Sequence, residues 1–456
     1  MPQARNLKDY LYILIAFALF PSKQVASKEL ETATHLSYRA AINTAHGQSG
    51  PQLSQLQLTQ ELGSQPLKNM KFFTSLRLRH NGIEGIGLNY ADKNAYSDIS
   101  RPWGKNNYEA ELRELYIEYG LGKHYVTIGK QQVVWGKSDG LKLLDIINPQ
   151  RFSEFILEDF DESRIPTWTL NYEYQFNNNQ LQLLWIPDTS VHSLPKIGAE
   201  NKARYEITAP RYYPQLEAFL QAHPNSELIL KKTQYPDSAT SDSDFALKWS
   251  SFIASWDLSL NYINQINDLP AFYSHIIKKE NIYHIDVQAK YSRSEVIGAS
   301  ASTAIKDLSI RTEIAYTKNQ HYQARVTESN TGVSHNDETA YVIGLDWFGF
   351  KDSLISAQLF QKHIHNFDSS IAQAQTDKNY SLLLRRSWLN EVLSAEILFL
   401  HNDTDQDRLI RPRMDYSVND QLKLWLAADY FYGPAEGVYG QYDQNDRILT
   451  GAELSF

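Results

Sequence analysis

The chain ends with the residues Arg447-Ile448-Leu449-Thr450-Gly451-Ala452-Glu453-Leu454-Ser455-Phe456. In an extended strand, side chains that are two residues apart lie on the same face. Ile448, Ala452, Leu454 and Phe456 would therefore share one apolar face. The stretch predicts a final β-strand that has one apolar face and ends in an aromatic residue.

The aromatic end of this strand also predicts where the chain goes. An apolar, alternating strand with a C-terminal aromatic residue resembles the signal that the bacterial barrel-insertion machinery recognises. We therefore expect the strand ending in Phe456 to bind that machinery and to belong to a β-barrel of the Gram-negative outer membrane. The alternative is the closing strand of a soluble protein, which the amino terminus and the spacing of the connections make less favourable.

The amino terminus has the layout of a secretory signal peptide. Arg5 and Lys8 precede an apolar run over residues 10–20, and a polar stretch ending in small residues follows. These parts match the basic, apolar and cleavage regions of such a signal. The alternative of a membrane anchor needs about 20 apolar residues, and this run is too short. We predict a signal peptide over 1–27 and an outer-membrane barrel over 28–456.

The composition excludes several classes of protein. The 456 residues include no cysteine, so disulfides and thiolate metal sites are ruled out. The formal net charge is −9, whereas a nucleic-acid-binding protein is usually markedly basic, and we expect no nucleic-acid partner. Aromatic residues make up 12% of the chain, and this enrichment favours strands over helices.

Apolar and polar residues alternate with a period of two along nearly the whole chain after residue 27. Tyr341, Ile343, Leu345 and Trp347 form one such apolar face, opposite Asp346. A soluble β-sandwich alternates too, but these segments run about ten to twelve residues, the length that crosses a bilayer at a tilt. Short turns also alternate with long polar connections, as in membrane barrels. The pattern predicts an all-β, transmembrane, antiparallel up-and-down barrel.

The barrel is predicted to have about eighteen strands, with sixteen as the alternative. The segment 282–304 is taken as one long strand, because splitting it would give nineteen. An even count is expected when both chain ends face the periplasm, and the last strand must then pair with the strand near 36–42. The predicted strands are 35–46, 52–63, 70–81, 108–119, 123–134, 166–176, 179–187, 243–251, 254–266, 282–304, 307–318, 338–348, 352–364, 378–388, 391–402, 407–417, 420–432 and 446–456.

One long connection, between the strands predicted at 123–134 and 166–176, is both apolar and charged. Large apolar side chains should not be exposed at a cell surface, and long ordered loops usually carry function. We therefore expect the loop 137–165 to fold inward, pack on the barrel wall and narrow the lumen. Its apolar residues are Leu141, Leu143, Leu144, Ile146, Ile147, Phe152, Phe155, Ile156 and Phe160.

Acidic residues on this loop are predicted to face basic residues of the wall. Lys71, Arg77 and Arg79 share one strand face, and Arg411 and Arg413 repeat the pattern. An acidic loop opposite basic strips would set a transverse field that selects solutes by size and charge. The alternative, which stays open, is that these charges pair and plug the lumen. The predicted lumen and constriction residues are Lys71, Arg77, Arg79, Lys130, Gln132, Trp135, Asp145, Glu154, Glu158, Asp159, Asp161, Arg164, Arg311, Glu313, Arg411 and Arg413.

No residue pattern indicates catalysis or a bound cofactor. The sequence contains no Gly-x-Ser-x-Gly elbow and no His-Glu-x-x-His motif. The acidic run of the loop lacks the ligand and glycine spacing of an EF-hand. His363 and His365 share a strand face but supply only two metal ligands. We predict no enzymatic activity, no cofactor and no metal site, and we expect outer-membrane lipid to surround the barrel.

The segment 129–174 carries a series of motifs: Gly129-Lys130-Gln131, Trp135-Gly136, Asp145 with Asn148-Pro149, and Arg164 with Pro166 and Trp168. With these motifs the segment resembles a large proteobacterial family of outer-membrane barrels that is classified as a domain of unknown function. A second patch, Gly298-Ala299-Ser300 followed by Arg311-Thr312-Glu313, is also similar to the family. The resemblance implies an outer-membrane barrel. Because family members have been proposed to act beside RND-type exporters of hydrophobic compounds, it also implies an exporter as a candidate partner.

These observations lead to three hypotheses of function. The first is an outer-membrane channel or porin-like barrel for small molecules, gated by the inward-folded loop at 137–165. The second is a conduit or binding barrel for hydrophobic compounds that works with an RND-type exporter. The third is a structural or surface-interaction barrel with a closed lumen, in which long loops, especially 188–242, bind a partner.

Overall fold

The computed structural model describes residues 30–456 apart from 48, 106, 139–140, 197–202, 214–215, 281 and 326–330. The signal peptide predicted over 1–27 lies outside the described residues and stays a prediction.

Most of the structure is β-strand because the period-two alternation continues from one predicted strand to the next. Eighteen of the 22 strands in the described residues are antiparallel neighbours in a sheet that closes on itself. The predicted barrel and its eighteen strands are therefore confirmed, and the alternative of sixteen is excluded. The strands β4, β9, β12 and β13 lie outside this closed ring. The bounds are β1 (Leu30–Asn43), β2 (Gly50–Leu67), β3 (Met70–Asn81), β4 (Trp103–Lys105), β5 (Tyr108–Leu121), β6 (His124–Gln131), β7 (Thr167–Phe176), β8 (Asn179–Ile186), β9 (Glu227–Leu230), β10 (Asp244–Ile253), β11 (Trp256–Ile266), β12 (Ala271–Lys279), β13 (Ile282–Lys290), β14 (Arg293–Ile305), β15 (Leu308–Gln323), β16 (Val333–Trp347), β17 (Ser353–Ile364), β18 (Thr376–Trp388), β19 (Leu393–Asn402), β20 (Asp407–Ser417), β21 (Leu422–Tyr432) and β22 (Arg447–Ser455).

The barrel closes between its first and last strands. β1 and β22 pair antiparallel, with Leu36 opposite Leu454. Beyond this ladder, the amide of Thr34 donates to the carbonyl of Phe456 at 2.8 Å, and the amide of Phe456 donates to the carbonyl of Thr34 at 3.0 Å. The predicted pairing of the last strand with the strand near 36–42 is confirmed.

The outer face of the barrel is apolar and exposed. On β15 and β16, Ile314 and Ile343 are 49% and 46% exposed, whereas Glu313 is buried on the inner face. A continuous exposed band of aliphatic side chains is unfavourable in water and matches the hydrocarbon core of a membrane. Aromatic side chains mark both ends of the band, as at the two interfaces of a bilayer. They include Trp185, Phe245, Tyr262 and Tyr430 at the long-loop end, and Phe252, Trp256, Trp347 and Trp388 at the short-turn end.

The inside of the barrel is partly filled by connections that fold into it. One apolar cluster joins Phe155, from the connection after β6, to Tyr439 before β22 and to the inward-facing Leu409. A second cluster joins Trp135, from the same connection, to Ile263 on β11. Both clusters contain residues of the connection between β6 and β7, so this connection folds inward as the sequence predicts.

The segment 282–304 is two strands, and the prediction of one long strand is wrong. β13 ends at Lys290 and β14 begins at Arg293. β13 pairs with β12 and β9 in a separate three-stranded sheet, while β14 belongs to the barrel. The alternation that suggested one strand includes Ile285 and Val287, which form the buried face of the small sheet. The barrel keeps an even number of strands because the additional strand lies outside it.

The connections contain short helical segments. Among the described residues, no helix has the length and apolar character that crossing a membrane requires. The polar connection predicted at 319–337 is shorter than expected, since β15 extends to Gln323 and β16 begins at Val333. The helical segments are Lys93–Ala95, Phe160–Ser163, Glu217–Ala222 and Gly440–Asn445.

Candidate functional site

The inward loop, residues 132–166, is fastened where it leaves and re-enters the wall. The side-chain nitrogen of the buried Asn148 donates to the carbonyl of Gln131 at 3.3 Å and to the hydroxyl of Thr167 at 3.1 Å. Its side-chain oxygen accepts a hydrogen bond from the amide of Val133 at 2.7 Å. Asn148 therefore ties the end of β6 to the start of β7.

Three predicted constriction residues lie where β6 passes into the inward loop: Lys130 at the end of β6, and Gln132 and Trp135 at the start of the loop. Lys130 is buried, and its ammonium donates to the carbonyl of Leu112 at 2.8 Å. Trp135 is 2% exposed, and its ring nitrogen donates to the side chain of Gln182 at 2.9 Å. Gln132 uses its backbone amide, which donates to a carboxylate of β5 at 3.1 Å. These predicted constriction residues are thus part of the attachment of the loop.

Glu313 and Arg311, on β15, hold the first half of the inward loop. The carboxylate of Glu313 accepts hydrogen bonds from the amide of Lys137, from that of Ser138 at 3.0 Å and from that of Leu144 at 3.1 Å. The guanidinium of Arg311 donates to the carbonyl of Lys137 at 2.5 Å. Both side chains therefore bind the loop through its backbone.

Gly298, on β14, makes room for the same half of the loop. A Cβ atom at this position would lie 2.5 Å from a methyl carbon of Leu144, which is closer than atoms pack. Gly298 is opposite Ala315 on β15, the strand that carries Glu313. The second patch of family resemblance therefore lies on two neighbouring strands, where it forms the surface that receives the loop.

Asp145, Asp161 and Arg164 brace the inward loop internally. The guanidinium of Arg164 lies 2.6 Å from the carboxylate of Asp145 and 2.5 Å from that of Asp161. The ammonium of Lys142 lies 3.1 Å from the same oxygen of Asp145. Two motif positions that are 19 residues apart, Asp145 and Arg164, thus join the two halves of the loop.

Glu154 is completely buried at the seam where the barrel closes. Its carboxylate oxygens lie 2.8 Å from Arg39 on β1 and 2.7 Å from Arg447 on β22. Burial raises the pKa of Glu154, but the two guanidinium groups more than offset this effect and hold the pKa at about 2. Arg447 also pairs with Asp429 on β21 at 2.7 Å. The second half of the loop is therefore fixed to both closing strands.

Arg77 and Arg79, on β3, pair with the next acidic residues of the loop. Arg79 lies 3.2 Å from Glu158 and 3.1 Å from Glu162, and Arg77 lies 2.8 Å from Glu162. Arg77 also lies 2.5 Å from Glu111 on β5. Acidic loop and basic wall are thus in direct contact here, with no gap between them.

The remaining predicted residues do not pair with any acidic residue that the structure describes in the loop. The side chain of Lys71 is 63% exposed and lies 3.3 Å from a glutamate of β5. Arg413 pairs with an aspartate of its own strand at 2.8 Å, and Asp159 is exposed. Arg411 reaches the loop through a backbone carbonyl at 2.8 Å.

The residues missing from the sequence prediction are partners of the loop on other strands. Arg39 and Arg447 face the lumen by the same alternation that identified Arg77, so the alternation could have found them. Glu109 on β5 pairs with Arg151 of the loop at 2.6 Å. No local signal indicates that pair, because it depends on the path of the loop.

A second connection covers the long-loop mouth of the barrel. Residues 203–213, which we call the mouth segment, follow β8 and reach toward β18 and β20. There Arg211 pairs with Asp377 at 3.5 Å and with Asp405. Two backbone amides of the segment donate to the side chain of Gln441 at 2.8 and 3.1 Å. The sequence predicted that this connection is long and polar, and the third hypothesis assigned it the binding of a partner, but its packing over the mouth was not predicted.

A cavity of about 340 Å³ lies between the inward loop and the wall formed by β15 to β19. Leu143 of the loop and Arg211 of the mouth segment contribute to its lining. From the wall, Phe360 gives an apolar surface and Lys362 a charged one. The ammonium of Lys362 lies 3.9 Å from the carboxylate of Glu338. The cavity therefore has an amphipathic lining.

An eighteen-stranded antiparallel barrel with a loop folded into its lumen has the fold of the outer-membrane porins. OccAB3 of Acinetobacter baumannii is similar, with a TM-score of 0.52 and 10% identity over 94% of this chain and 99% of that one. OccK2 (OpdF) of Pseudomonas aeruginosa, solved in complex with glucuronate, has a TM-score of 0.50 and 9% identity over 95% and 99%. A BenF-like porin of Pseudomonas fluorescens Pf-5 has a TM-score of 0.50 and 9% identity over 94% and 98%. At these identities the likeness shows the fold.

The chain belongs to the family described as "Protein of unknown function (DUF1302)", whose model matches residues 54–395. A search of curated proteins finds no match. The resemblance seen in the motifs is thereby confirmed at the level of the family. The association with RND-type exporters stays a prediction.

Proposed function

We propose that the protein is an outer-membrane channel for small molecules, with the loop 137–165 forming its constriction. The observation that carries this proposal is how the inward loop divides the lumen. Its first half binds Glu313 on β15, and its second half binds Arg39 and Arg447 at the seam. The cavity lies along the part of the wall between these two attachments. A solute would pass on that side of the loop.

The location in the outer membrane is supported by three independent features. The outer face is an exposed apolar band with aromatic ends, the closing strand ends in Phe456, and the fold is that of porins. A signal peptide over 1–27 would export the chain. The barrel-insertion machinery would then act on the strand that ends in Phe456.

Planar-bilayer conductance tests the channel directly. Purified protein is expected to carry a steady ionic current. A variant that lacks residues 150–162 is expected to carry a current several times larger, because this segment fills the lumen between β20 and β3. As a control, a variant that lacks the tip of the β12–β13 hairpin, which lies outside the ring, should conduct like the full chain. If neither the full chain nor the 150–162 deletion conducts, the protein is not a channel.

Lys362 is expected to influence which ions pass, because its ammonium lines the cavity. Lys362→Glu should shift the reversal potential in a salt gradient toward cation selectivity, since it replaces a fixed positive charge by a negative one. Lys351→Glu makes the same change in an exposed turn outside the lumen and should leave the reversal potential unchanged. Equal shifts of the reversal potential in both variants would show that the cavity does not lie on the solute path.

A conduit for hydrophobic compounds that works with an RND-type exporter is a second candidate. It is favoured by the apolar side of the cavity, which includes Leu143, Phe360 and Tyr439. Mass spectra of gently purified protein would then show a bound hydrophobic molecule, and bilayers would show no steady current. A mass spectrum without a bound hydrophobic molecule, together with a steady current in bilayers, would count against this candidate.

A further inference from the structure

Basic side chains gather on the outer face of the barrel at its long-loop end. They are His363, His365, Lys378, His401 and Arg408, at the ends of β17 to β20. Their neighbours in sequence face the lumen, so the strand alternation directs these five outward. We call these five residues the basic rim.

The basic rim spans four neighbouring strands, β17 to β20. His401 lies opposite Arg408, and Arg408 lies opposite Tyr432. The rings of His363 and His365 are 5.3 Å apart. Because neighbouring strands lie about 4.8 Å apart, the rim is roughly 15 Å wide. This width suits the head group of one large lipid.

The strongest bases of the rim are not neutralised by their surroundings. Within the described residues, neither Lys378 nor Arg408 has a carboxylate at ion-pair distance. The guanidinium of Arg408 lies 4.2 Å above the ring of Tyr432 instead, an arrangement that leaves its N–H groups free to donate. Two acids lie beside the imidazoles: Asp403 is 4.0 Å from the ring of His401, and the carbonyl of Asp337 accepts a hydrogen bond from the amide of His365 at 2.8 Å. The positive charge that the rim offers a ligand is therefore carried by Lys378 and Arg408.

The basic rim lies directly above the apolar band. Leu382, Leu384 and Ile397 are exposed on the same strands, further toward the short-turn end. On β8 and β10 the outward residues at this level are aromatic instead, namely Trp185 and Phe245. A ligand that fits the rim would thus need an anionic head above several acyl chains.

We propose that the basic rim binds the phosphorylated head group of the outer-leaflet glycolipid, lipopolysaccharide, whose acyl chains lie on the apolar band below it. Lys and Arg at a membrane surface attract anionic lipids, and the planar guanidinium of Arg408 matches a phosphate. The imidazoles supply further hydrogen-bond donors. The proposal rests on the outer-membrane location but not on transport through the lumen.

Lipid binding by lipid-free protein in detergent tests this proposal. The full chain is titrated with phosphorylated lipid A, with dephosphorylated lipid A and with phosphatidylglycerol, and bound lipid is counted by native mass spectrometry. The full chain should prefer phosphorylated lipid A. The affinity of the Lys378→Gln/Arg408→Gln variant for phosphorylated lipid A should be lower by a factor of about ten or more. Equal binding of the three lipids, or no loss in the double variant, would overturn the proposal.

Arg386 provides the matched control at the opposite rim. Its guanidinium lies 5.6 Å from the ring of Trp388, much as that of Arg408 lies over Tyr432. The Arg386→Gln variant should bind lipid A like the full chain. If it loses as much lipid A binding as the Lys378→Gln/Arg408→Gln variant, the assignment of the site to the basic rim is overturned. Heat-modifiable migration on gels verifies that each variant is folded. Conductance measured on the same samples keeps the two proposals separate, because loss of lipid binding should leave the current unchanged.

Discussion

Replacing Glu154 with glutamine is expected to lower the free energy of unfolding by about 3–5 kcal/mol. Glutamine keeps the size of the side chain but removes the charge that Arg39 and Arg447 share at 2.8 and 2.7 Å. Because the carboxylate is fully buried, water cannot replace it. The midpoint of urea unfolding in detergent micelles measures the effect.

Two further variants make this measurement specific. Glu436→Gln makes the same change on an exposed loop and should leave the urea midpoint unchanged. Adding Arg39→Gln to Glu154→Gln should recover part of the lost stability, since Arg39 would keep only the more distant carboxylate of Glu158, at 3.7 Å, as an acidic partner. The interpretation fails if Glu154→Gln unfolds at the same urea concentration as Glu436→Gln.

The same interaction gives stability a defined pH dependence. The pKa of Glu154 is about 2 in the folded protein, against an ordinary value of 4.5. A carboxylate whose pKa is lowered by folding stabilises the protein above its ordinary pKa. Its contribution is complete above about pH 4.5 and declines as the pH falls toward 2. The Glu154→Gln variant should therefore lose less stability than the full chain over this range.

Replacing Glu313 with alanine is expected to release the first half of the inward loop. The amides of Lys137, Ser138 and Leu144 would lose their acceptor, and each unpaired buried donor costs about 1–3 kcal/mol. The loop should relieve this cost by leaving β15. We expect faster proteolysis within the loop and a larger, noisier current in bilayers.

Glu295→Ala is the control for this prediction. Glu295 lies on the neighbouring β14 and faces outward by the strand alternation, so its removal should change neither proteolysis nor current. If the loop of the Glu313→Ala variant resists proteolysis as well as the loop of the full chain does, the carboxylate is not what holds the loop to β15.

The local pattern of the sequence predicted the wall of the barrel well. β3 has the predicted bounds of 70–81, and the alternation placed Arg77 and Arg79 on the lumenal side. The same pattern failed at 282–304, because a strand of a small separate sheet alternates like a strand of the barrel. Period-two alternation reports one buried face, and it does not report which sheet buries it.

The site was harder to predict because it depends on distant contacts. The sequence identified Glu154, Glu158 and Glu313 as charged residues of the lumen. Which partner each of them takes follows from the path of the loop, which no local pattern encodes. The mouth segment was missed for a related reason: its buried Tyr205 follows no strand or helix period. Packing by an irregular segment leaves little trace in the order of its residues.

The position of Glu154 sets an order of events during assembly. Its two arginine partners come from opposite ends of the chain, so the carboxylate can be neutralised on both sides only after β1 and β22 have met. While the wall is still open, the second half of the inward loop lacks its contact with Arg447. The loop can reach its final, fully neutralised position only when the first and last strands have joined, so closure of the wall and the last attachment of the loop are expected to be coupled.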